Sequence, residues 1–461
     1  MLDFVCLSNV VAPLNRWKAA SHKLCGLLVL GLVGLSGLAH SSTVAVGTCT
    51  NLPFYPTIQL AVNSVPPGTV IKICPGIYPE QVMITKNLTL AGVSSNGAVG
   101  PAGSGPNNPT VVSPAGGVVT NAGDLFDGSP IAAQIVVATP TGASQPIVVS
   151  ISNIIVDGSN NQIAGCAPDL VGIYYQNASG TMNRVATRFQ ELGSGLGGCQ
   201  SGLGIFAESG YGTGGTSVVT IANSSVHDYQ KNGITVDGSG TTASVQLNYV
   251  VGQGATPVIA QNGIQVSDGA TGTISNNTVT DDVYVNAPGG PFFSATGILL
   301  YDSGGSSAKA VVVSGNTVSN AQGAIVTFGD SFGTADYNSV TSNKITTSPA
   351  AGPFFIDGID LCSNNNTARS NTVFNSSGAG VHIDSQCTES TGPSGSGTTV
   401  ASNTVNEACA GVLTGTGSGN SLSNNSAYNV LQIVQSGDSC PSGSGSAKKR
   451  NVRLVPHPLH R

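Results

Sequence analysis

Short stretches of alternating apolar and polar residues recur along the chain, and residues 262–282 show the pattern most completely. Ile264 and Val266 are separated by a polar residue, and Ile274 and Val279 lie on either side of an Asn-Asn pair. Alternation with a period of two predicts β-strands that bury one face, and the Gly-rich segment between the two halves predicts a turn. The unit is therefore predicted to be strand–turn–strand.

The same unit returns throughout the chain, with turns of different lengths. Successive opening glycines are 22 to 35 residues apart, so the turns vary while the strands persist. A Gly-aliphatic opening occurs at Gly172, Gly204, Gly233, Gly263, Gly297, Gly323, Gly358, Gly380 and Gly411. Such a repeat cannot bury its apolar side alone, so stacked copies are needed to complete a core. The pattern predicts an all-β solenoid of parallel strands.

Each unit closes on an Asn-x-aliphatic sequence, and this asparagine is predicted to be structural. An Asn that recurs at one turn position can bond to the equivalent residue of the coils above and below it. We expect one ladder at one corner, formed by Asn248, Asn277, Asn316, Asn343, Asn371 and Asn403.

Residues 56–92 predict how the solenoid begins. Thr57 can N-cap a short helix whose apolar side is formed by Ile58, Leu60, Ala61 and Val65, and Pro-Pro-Gly then ends it. Three short strands follow within the same stretch. A helix across the open end would hide the first apolar coil, which a solenoid requires of its terminal unit.

The sequence of this stretch resembles a known family. Its Thr-Ile-Gln, Pro-Gly-Thr, Pro-Gly-x-Tyr-x-Glu and Ile-Thr-Lys-Asn-Leu-Thr-Leu segments, in that order, resemble the N-terminal cap of pectin-lyase-like proteins, pectin methylesterases included. The later repeats resemble the broad right-handed β-helix repeat family. The resemblance implies a single-stranded right-handed parallel β-helix with a short N-terminal capping helix, placed at residues 47–440. That fold carries lyases, hydrolases, esterases, epimerases and binding proteins, so it leaves the activity open.

Both ends of the chain differ from the repeats in composition. Residues 1–39 combine a basic region with an apolar run from Leu24 to Leu38, and we expect a cleaved secretory signal peptide. A single membrane anchor is the alternative, but a run of about 15 residues is shorter than the roughly 20 that span a bilayer. Residues 441–461 are rich in Ser, Gly, Lys and Arg and predict a disordered basic tail.

Cysteine usage agrees with export. Beyond the first 39 residues eight Cys remain, an even number that predicts disulfides in an exported chain, although eight Cys allow 105 pairings. Residues close in sequence should lie on the same or adjacent coils, so we expect the pairs Cys49–Cys74, Cys166–Cys199, Cys362–Cys387 and Cys409–Cys440.

Charge restricts the partners that the protein can attract. Residues 50–440 hold eight Lys and Arg against 21 Asp and Glu, a formal charge of −13. Such a body is a poor electrostatic partner for nucleic acid and for acidic glycans such as polygalacturonate. A neutral polysaccharide, a cation or surface charge for solubility alone remains open.

Several acids follow the opening glycines by four or five residues, and we expect them to line one turn as a stack. Carboxylates at this spacing can share Ca²⁺, although Asp is also a common turn residue. No other cofactor and no metal-binding Cys motif is predicted. The residues concerned are Glu208, Asp237, Asp268, Asp302 and Asp384.

The candidate catalytic residues are Asp357, Asp360, His382 and Asp384. Asp360 and His382 each lie two residues after an opening glycine on successive coils, so both should face outward as an acid/base pair. The segment Asp357-Gly-Ile-Asp360 resembles part of a polygalacturonase motif. The other segments of that motif, the later motifs of pectin methylesterase and a lyase-like set of acids with a catalytic Arg are absent. A structural role for the cluster is the alternative.

Two aromatic loops are candidate ligand contacts. Phe292, Phe293, Phe354 and Phe355 each lie a few residues before an opening glycine, so both loops should emerge on one side. Lateral packing against the solenoid is the alternative use. The only Trp of the chain is Trp17, within the predicted signal peptide.

These observations predict an exported protein, secreted, periplasmic or at the cell surface, that interacts with carbohydrate and has no complete known catalytic motif. The alternative is a glycoside hydrolase or lyase with an unfamiliar site, so the sequence does not decide whether the protein is an enzyme. We expect no nucleic-acid partner and no membrane span after cleavage. The oligomeric state is not predicted.

Overall fold

The chain winds into successive coils of three strands, and equivalent strands of neighbouring coils pair in parallel. The computed structural model describes residues 42–93, 109–285, 293–348, 356–441, 455–456 and 458–459. Each coil contributes one strand to each of three lengthwise sheets, which we call sheets I, II and III in the order in which the chain visits them. The unit of residues 262–282 lies in this frame as a sheet III strand, a sheet I strand and the start of a sheet II strand.

The bounds of the elements follow this order. Sheet I consists of Thr43–Val46, Phe54–Tyr55, Thr69–Ile73, Leu88–Gly92, Val148–Ser152, Ser179–Asn183, Ser217–Ala222, Thr241–Gln246, Thr271–Ser275, Val311–Ser314, Ser339–Thr341, Thr367–Arg369, Thr399–Ala401 and Ser421–Ser423. Sheet II consists of Gly76–Tyr78, Thr110–Val112, Ile155–Asp157, Ala186–Arg188, Ser225–His227, Tyr249–Thr256, Thr278–Tyr284, Thr317–Ala321, Lys344–Thr347 and Thr372–Phe374. Sheet III consists of Val82–Ile84, Pro130–Ala138, Asp169–Gln176, Leu203–Glu208, Asn232–Asp237, Asn262–Ser267, Thr296–Tyr301, Gly323–Phe328, Ile359–Cys362 and Ala379–Ile383.

A few elements do not fit this scheme of one strand per sheet. The two last coils contain long strands, Thr404–Thr414 and Ser426–Ser436, that continue from sheet II into sheet III. Ala122–Gly123 pairs antiparallel with the first residues of the sheet III strand Pro130–Ala138. The remaining elements are the helix Ile58–Ser64, the 3₁₀ turns Tyr211–Thr213 and Ser307–Lys309, and the strand pairs Phe293–Ser294 with Val455–Pro456 and Thr388–Glu389 with Gly392–Pro393.

The core fills the inside of the coil with aliphatic side chains. Ile264, Val266, Ile274 and Val279 are each at most 3% exposed and belong to one continuous hydrophobic cluster that extends from Val46 to Val412. The side chains between them point outward, as the alternation in the sequence predicts. The predicted all-β parallel solenoid is confirmed.

The predicted asparagine ladder is also confirmed. Asn277 Nδ2 donates to Asn316 Oδ1 at 2.9 Å and to the carbonyl oxygen of Val245 in the preceding coil. The same bonds repeat from Asn248 through Asn403 to Asn425. The left-handed backbone of this corner belongs to the residue before each ladder Asn, for example Asn276 at φ 55°.

The N-terminal helix closes the first coil. Thr57 Oγ1 accepts a hydrogen bond from Leu60 N, which makes Thr57 the predicted N-cap. The Glu80 carboxylate accepts two more, from Ile58 N at 2.7 Å and Gln59 N at 2.8 Å. Three of the amides at the helix start are satisfied in this way. Ile58 is fully buried against the core as predicted, whereas Leu60 is 45% exposed and does not belong to the apolar side.

Four disulfides link neighbouring coils with the predicted pairing. Cα–Cα distances are 5.7 Å for Cys49–Cys74, 5.2 Å for Cys166–Cys199, 5.6 Å for Cys362–Cys387 and 5.6 Å for Cys409–Cys440. These values lie within the range that a disulfide requires.

The predicted signal peptide, residues 1–39, lies outside the described residues, and so does most of the predicted basic tail. Within that tail Val455–Pro456 forms a short parallel strand beside Phe293–Ser294. Over the described part of the chain, no helix has the length and apolar character that crossing a membrane requires.

Candidate functional site

The outer side of sheet III is buried, which is unusual for the outside of a solenoid. In sheet I, outward residues such as Val148 and Val218 are 51% and 65% exposed. In sheet III, the central outward column is at most 4% exposed except at the half-buried Asp360. The column runs through Val136, Tyr174, Phe206, Thr235, Gln265, Leu299, Val326, Asp360, His382 and Leu413. We call this side of the molecule the covered face.

The predicted pair Asp360 and His382 lies in this column on adjacent coils. The two residues are register partners, and their neighbours in the strands point into the core, so both side chains face outward as predicted. Ligand atoms of Asp360, His382 and Asp384 all lie within 4.8 Å of one another. Asp384 is 2% exposed, and its Oδ1 accepts a hydrogen bond from Gln386 N.

His382 is held between two carboxylates. Its Nδ1 is 2.9 Å from Asp357 Oδ2 and its Nε2 is 3.3 Å from Asp438 Oδ1. Asp357 is fixed in turn because its Oδ1 accepts a hydrogen bond from Ala379 N at 2.5 Å. Asp438 accepts hydrogen bonds from Ser385 N and Ser385 Oγ. All four residues of the predicted catalytic cluster therefore come together, with Asp438 as an unpredicted fifth member.

The carboxylates determine the charge of this histidine. Burial opposes a positive charge on His382, but the Asp357 carboxylate, the hydrogen bonds to Asp357 and Asp438, and nearby Asp384 outweigh it and raise the pKa of the imidazole well above its ordinary value. Burial likewise opposes ionisation of Asp438, but hydrogen bonds from His382 and Ser385 lower the pKa of its carboxyl. An imidazolium flanked by carboxylates results.

This arrangement limits what His382 can do. Both ring nitrogens bond to carboxylates and the side chain is 4% exposed, so in this state it has no lone pair for a proton or a metal ion. General acid/base chemistry would require Asp438 to release Nε2. In this state His382 links Asp357 and Asp438, and it acts as a structural cross-brace between coils.

The aromatic loops are described at one residue only. Phe292, Phe354 and Phe355 lie outside the described residues. Phe293 is half-buried against Ala260, Tyr284 and Ala295, which is lateral packing on the solenoid.

The acids that follow the opening glycines separate into two columns. Glu208 and Asp237, four residues after their glycines, are register partners at the end of sheet III strands. Asp268 and Asp302, five residues after theirs, lie one position later with left-handed backbone, and Gly269 N bonds to the Asp302 carbonyl oxygen. Asp384 belongs to a later coil. One extra residue moves a side chain out of the strand and into the turn, so the single predicted stack does not form.

A cavity of about 550 Å³ opens beside the covered face in the early coils, and we call it the acidic cavity. Its lining combines carboxylates and an amide with an apolar wall. The lining residues are Asp124, Phe126, Asp127, Ser129, Ile131, Cys166, Asp169, Val171, Gly198, Cys199, Gln200, Leu203, Phe206 and Leu459. No Lys or Arg is among these described residues. Phe126 is 48% exposed and packs edge-on against Tyr211.

Gln200 and Glu208 give this region its polar character. Among the described residues, no group donates a hydrogen bond to Gln200 Oε1, although the atom is buried. Glu208 lies behind the cavity wall, where its Oε1 accepts from Leu125 N at 2.7 Å and bonds to Tyr174 Oη. Burial, together with the Asp124 and Asp237 carboxylates, raises the pKa of Glu208 to about 9, so this carboxyl is neutral at pH 7.

The acidic cavity was not predicted from the repeats. It depends on the irregular connection 113–129, which carries no repeat pattern, and on the disulfide loops around Cys166 and Cys199. The available clue was the sequence Asp124-Leu-Phe-Asp127, two acids around an aromatic residue in an otherwise Gly- and Ala-rich connection.

A family model and one solved structure support the fold. A family model described as "Right handed beta helix region" matches residues 258–427. The sequence has no significant match among curated proteins. The A-module of the mannuronan C-5 epimerase AlgE4 of Azotobacter vinelandii is 13% identical with a TM-score of 0.51, over 82% of this chain and 92% of that chain. PfbA, a surface adhesin of Streptococcus pneumoniae, is 13% identical with a TM-score of 0.49, over 82% of this chain and 88% of that chain.

Identities this low bear on the fold and leave the chemistry to the residues of this chain. The repeats, the register of the three sheets, the asparagine ladder and the family match all agree. The chain folds as a right-handed parallel β-helix, and its residues 258–427 match the right-handed β-helix repeat family.

Proposed function

We propose that this protein is an exported β-helix that binds a neutral polysaccharide without cleaving it, and that the acidic cavity is the binding site. The observation that carries the proposal is the lining of that cavity. Carboxylates at Asp124, Asp127 and Asp169 and the amide of Gln200 surround an exposed ring at Phe126.

Such a lining suits sugar hydroxyl groups. A carboxylate or amide oxygen accepts hydrogen bonds from hydroxyls, and Gln200 Oε1 is a buried acceptor without a described protein donor. The Phe126 ring and the Phe206 wall offer apolar surface to the carbon face of a sugar ring. A volume of about 550 Å³ is in the range of small-molecule sites and admits a short stretch of a glycan chain.

Charge favours a neutral glycan over an acidic one. Residues 50–440 carry a formal charge of −13, and the described lining contains three Asp and no cation. Among the described lining residues a uronate would meet three carboxylates and no Lys or Arg, and this like charge would lower its affinity and association rate.

An extracellular location fits the covalent structure. Four disulfides join the coils, and disulfides persist in oxidising compartments. The apolar run after a basic region near the N-terminus supports secretion, and the protein would act in the periplasm, at the cell surface or in the medium.

Affinity electrophoresis tests the proposal. The protein should be retarded in gels that contain a neutral polysaccharide, for example mixed-linkage β-glucan, arabinoxylan or galactomannan, and should run freely in polygalacturonate. Phe126→Ala and Gln200→Ala should each weaken retardation about tenfold, since each removes a contact of about 1 to 2 kcal/mol.

A matched control separates the cavity from general surface effects. Phe332 is an exposed ring away from the cavity lining, 90% exposed, and Phe332→Ala should bind as the parent does. Retardation in polygalacturonate alone, or equal retardation of all variants, would contradict the proposal.

A second candidate function is hydrolysis of a neutral glycan at the His382 cluster. It is favoured by the convergence of Asp360, His382 and Asp384 within 4.8 Å beside Asp357. Asp438 would have to leave Nε2 for the histidine to exchange a proton with substrate. Release of reducing sugar that is lost in Asp360→Asn and in His382→Ala, with the unfolding midpoint of Asp360→Asn unchanged, would support this candidate. Release that both variants retain would remove it.

A further inference from the structure

The described end of the C-terminal tail lies on the covered face, beside the acidic cavity. Val455–Pro456 pairs in parallel with Phe293–Ser294, a short strand outside the three sheets. Leu459 N donates a hydrogen bond to Gln265 Oε1 at 3.2 Å. Gln265 belongs to the central outward column, so the tail lies directly over sheet III.

Leu459 also occupies the apolar wall of the cavity. Its half-buried side chain packs against a cluster formed by Ile131, Ala133, Val136, Val171, Tyr174, Leu203 and Phe206. Four of these residues, Ile131, Val171, Leu203 and Phe206, line the acidic cavity, and Leu459 itself is part of the lining. The tail therefore contacts the same surface that the proposed glycan would use.

The charge of the tail and the length of the connection before it both allow the tail of the same chain to bind this face. Residues 448–461 contain five Lys and Arg and no acid, opposite a body of charge −13 and a cavity with three Asp. Pro441 follows Cys440, which is bonded to Cys409, and 13 residues separate Pro441 from Val455. Thirteen extended residues reach about 45 Å, whereas the four coils from Ala410 back to Thr296 measure roughly 19 Å.

We propose that the tail segment of residues 455–456 and 458–459 is a built-in peptide ligand of the covered face, which competes with polysaccharide for the acidic cavity. The position of the tail is supported by the contacts described above, and its competition with polysaccharide rests on the proposed function. Displacing or removing the tail would open the apolar wall at Phe206 and Leu203 for a sugar ring.

Binding of a separate tail peptide tests, without any glycan, whether the tail binds the covered face. The probe is a labelled synthetic peptide of residues 448–461, titrated by fluorescence anisotropy into the parent protein, into the full-length Leu459→Asp variant, and into a chain that ends at Leu454. We expect saturable binding to the variant and to the shortened chain, at least tenfold tighter than to the parent, whose site is filled. A peptide that itself carries Leu459→Asp should bind at least tenfold more weakly. Equal titration of all three proteins, or no binding to any, would overturn the proposal.

Two further readouts complete the test. Leu459→Asp and the shortened chain should be retarded by neutral polysaccharide more strongly than the parent, and retardation equal to that of the parent would overturn the competition. Absence of retardation for all three proteins would count against the proposed function, while the peptide titration would still decide whether the tail binds the covered face.

Light scattering tests whether the tail binds its own chain. A parent that is dimeric and becomes monomeric on shortening would assign the tail to a second copy and overturn the intramolecular arrangement.

Discussion

At the scale of single residues, two buried groups on the covered face carry unusual protonation states. The sequence predicted that Asp360 would lie over His382, because both occupy the same offset from an opening glycine on successive coils. It did not predict Asp438, which lies 56 residues beyond His382 and arrives through the irregular end of the last coil. Position within the repeat is readable from sequence, whereas contacts made by segments between repeats are not.

Replacing His382 with Asn should destabilise the protein in a pH-dependent way. The pKa of His382 is raised in the folded state, so its contribution to stability is complete below the ordinary value of about 6.5 and is lost as pH rises through the folded pKa. Removing one partner of a buried ion pair costs about 3 kcal/mol. We expect that loss at pH 6, and a smaller difference between parent and variant at pH 10, in urea unfolding midpoints.

His227 provides the control for this experiment. Its Nδ1 lies 2.7 Å from Asp228, whose side chain is 41% exposed, so His227→Asn should cost less than about 1 kcal/mol. A His382→Asn loss that is the same at both pH values would contradict the charge assigned to the cluster.

Replacing Glu208 should stabilise the protein at high pH, whereas replacing His382 should destabilise it at low pH. Its pKa is raised to about 9, so the folded state retains a proton that the unfolded chain releases above about 4.5, and stability falls as pH rises between these values. Glu208→Gln removes this titration. In calorimetry the variant should match the parent near pH 4 and melt a few degrees higher at pH 8. Glu407 is exposed, and the control Glu407→Gln should leave the melting temperature unchanged at both pH values. A variant that melts lower at pH 8 would refute the neutral carboxyl.

At the scale of secondary-structure elements, regular features were predictable and irregular ones were not. The ladder, the inward aliphatic residues and the capping helix follow from local periodicity and from Thr57 before an apolar helix face. The split of the acidic residues into two columns depends on one extra residue between glycine and acid. The acidic cavity depends on loops whose course is set by long-range contacts, such as Tyr174 Oη with the Gly123 carbonyl oxygen.

The ladder should be most sensitive in its middle. Asn316 Oδ1 accepts from both Asn277 N and Asn277 Nδ2, and its own Nδ2 donates to Ile274 O and Asn343 Oδ1. Asn316→Ala leaves several buried polar groups without partners, at about 1 to 3 kcal/mol each. We expect a loss of about 3 kcal/mol in chemical denaturation.

An exposed asparagine pair gives the comparison. Asn429 Nδ2 donates to Asn406 Oδ1 on the solvent side of the last coil, so Asn406→Ala should cost less than about 0.5 kcal/mol. Similar losses for Asn316→Ala and Asn406→Ala would show that the ladder does not stabilise the stack.

At the scale of the whole molecule, the outer faces of the β-helix differ in burial and in chemistry. Sheet I presents exposed outward residues, whereas sheet III carries a buried column, the His382 cross-brace, the acidic cavity and the described tail. Because the coil repeats, the side chain at the second position after most opening glycines joins this column; Gly323 is the exception, since Ile325 points into the core and Val326 takes the outward position. The repeats thus specify the fold, whereas the proposed function depends on the irregular connections and the tail between and beyond them.

Hydrogen–deuterium exchange with bound polysaccharide tests the central claim most directly, because it locates the ligand. Full-length protein saturated with the neutral polysaccharide that retards it best should show slowed exchange in residues 122–129, 166–171 and 198–206, which surround the acidic cavity. Exchange near residues 455–459 should become faster as the tail is displaced. Protection confined to the His382 coils or to sheet I, or no protection at all, would contradict the account.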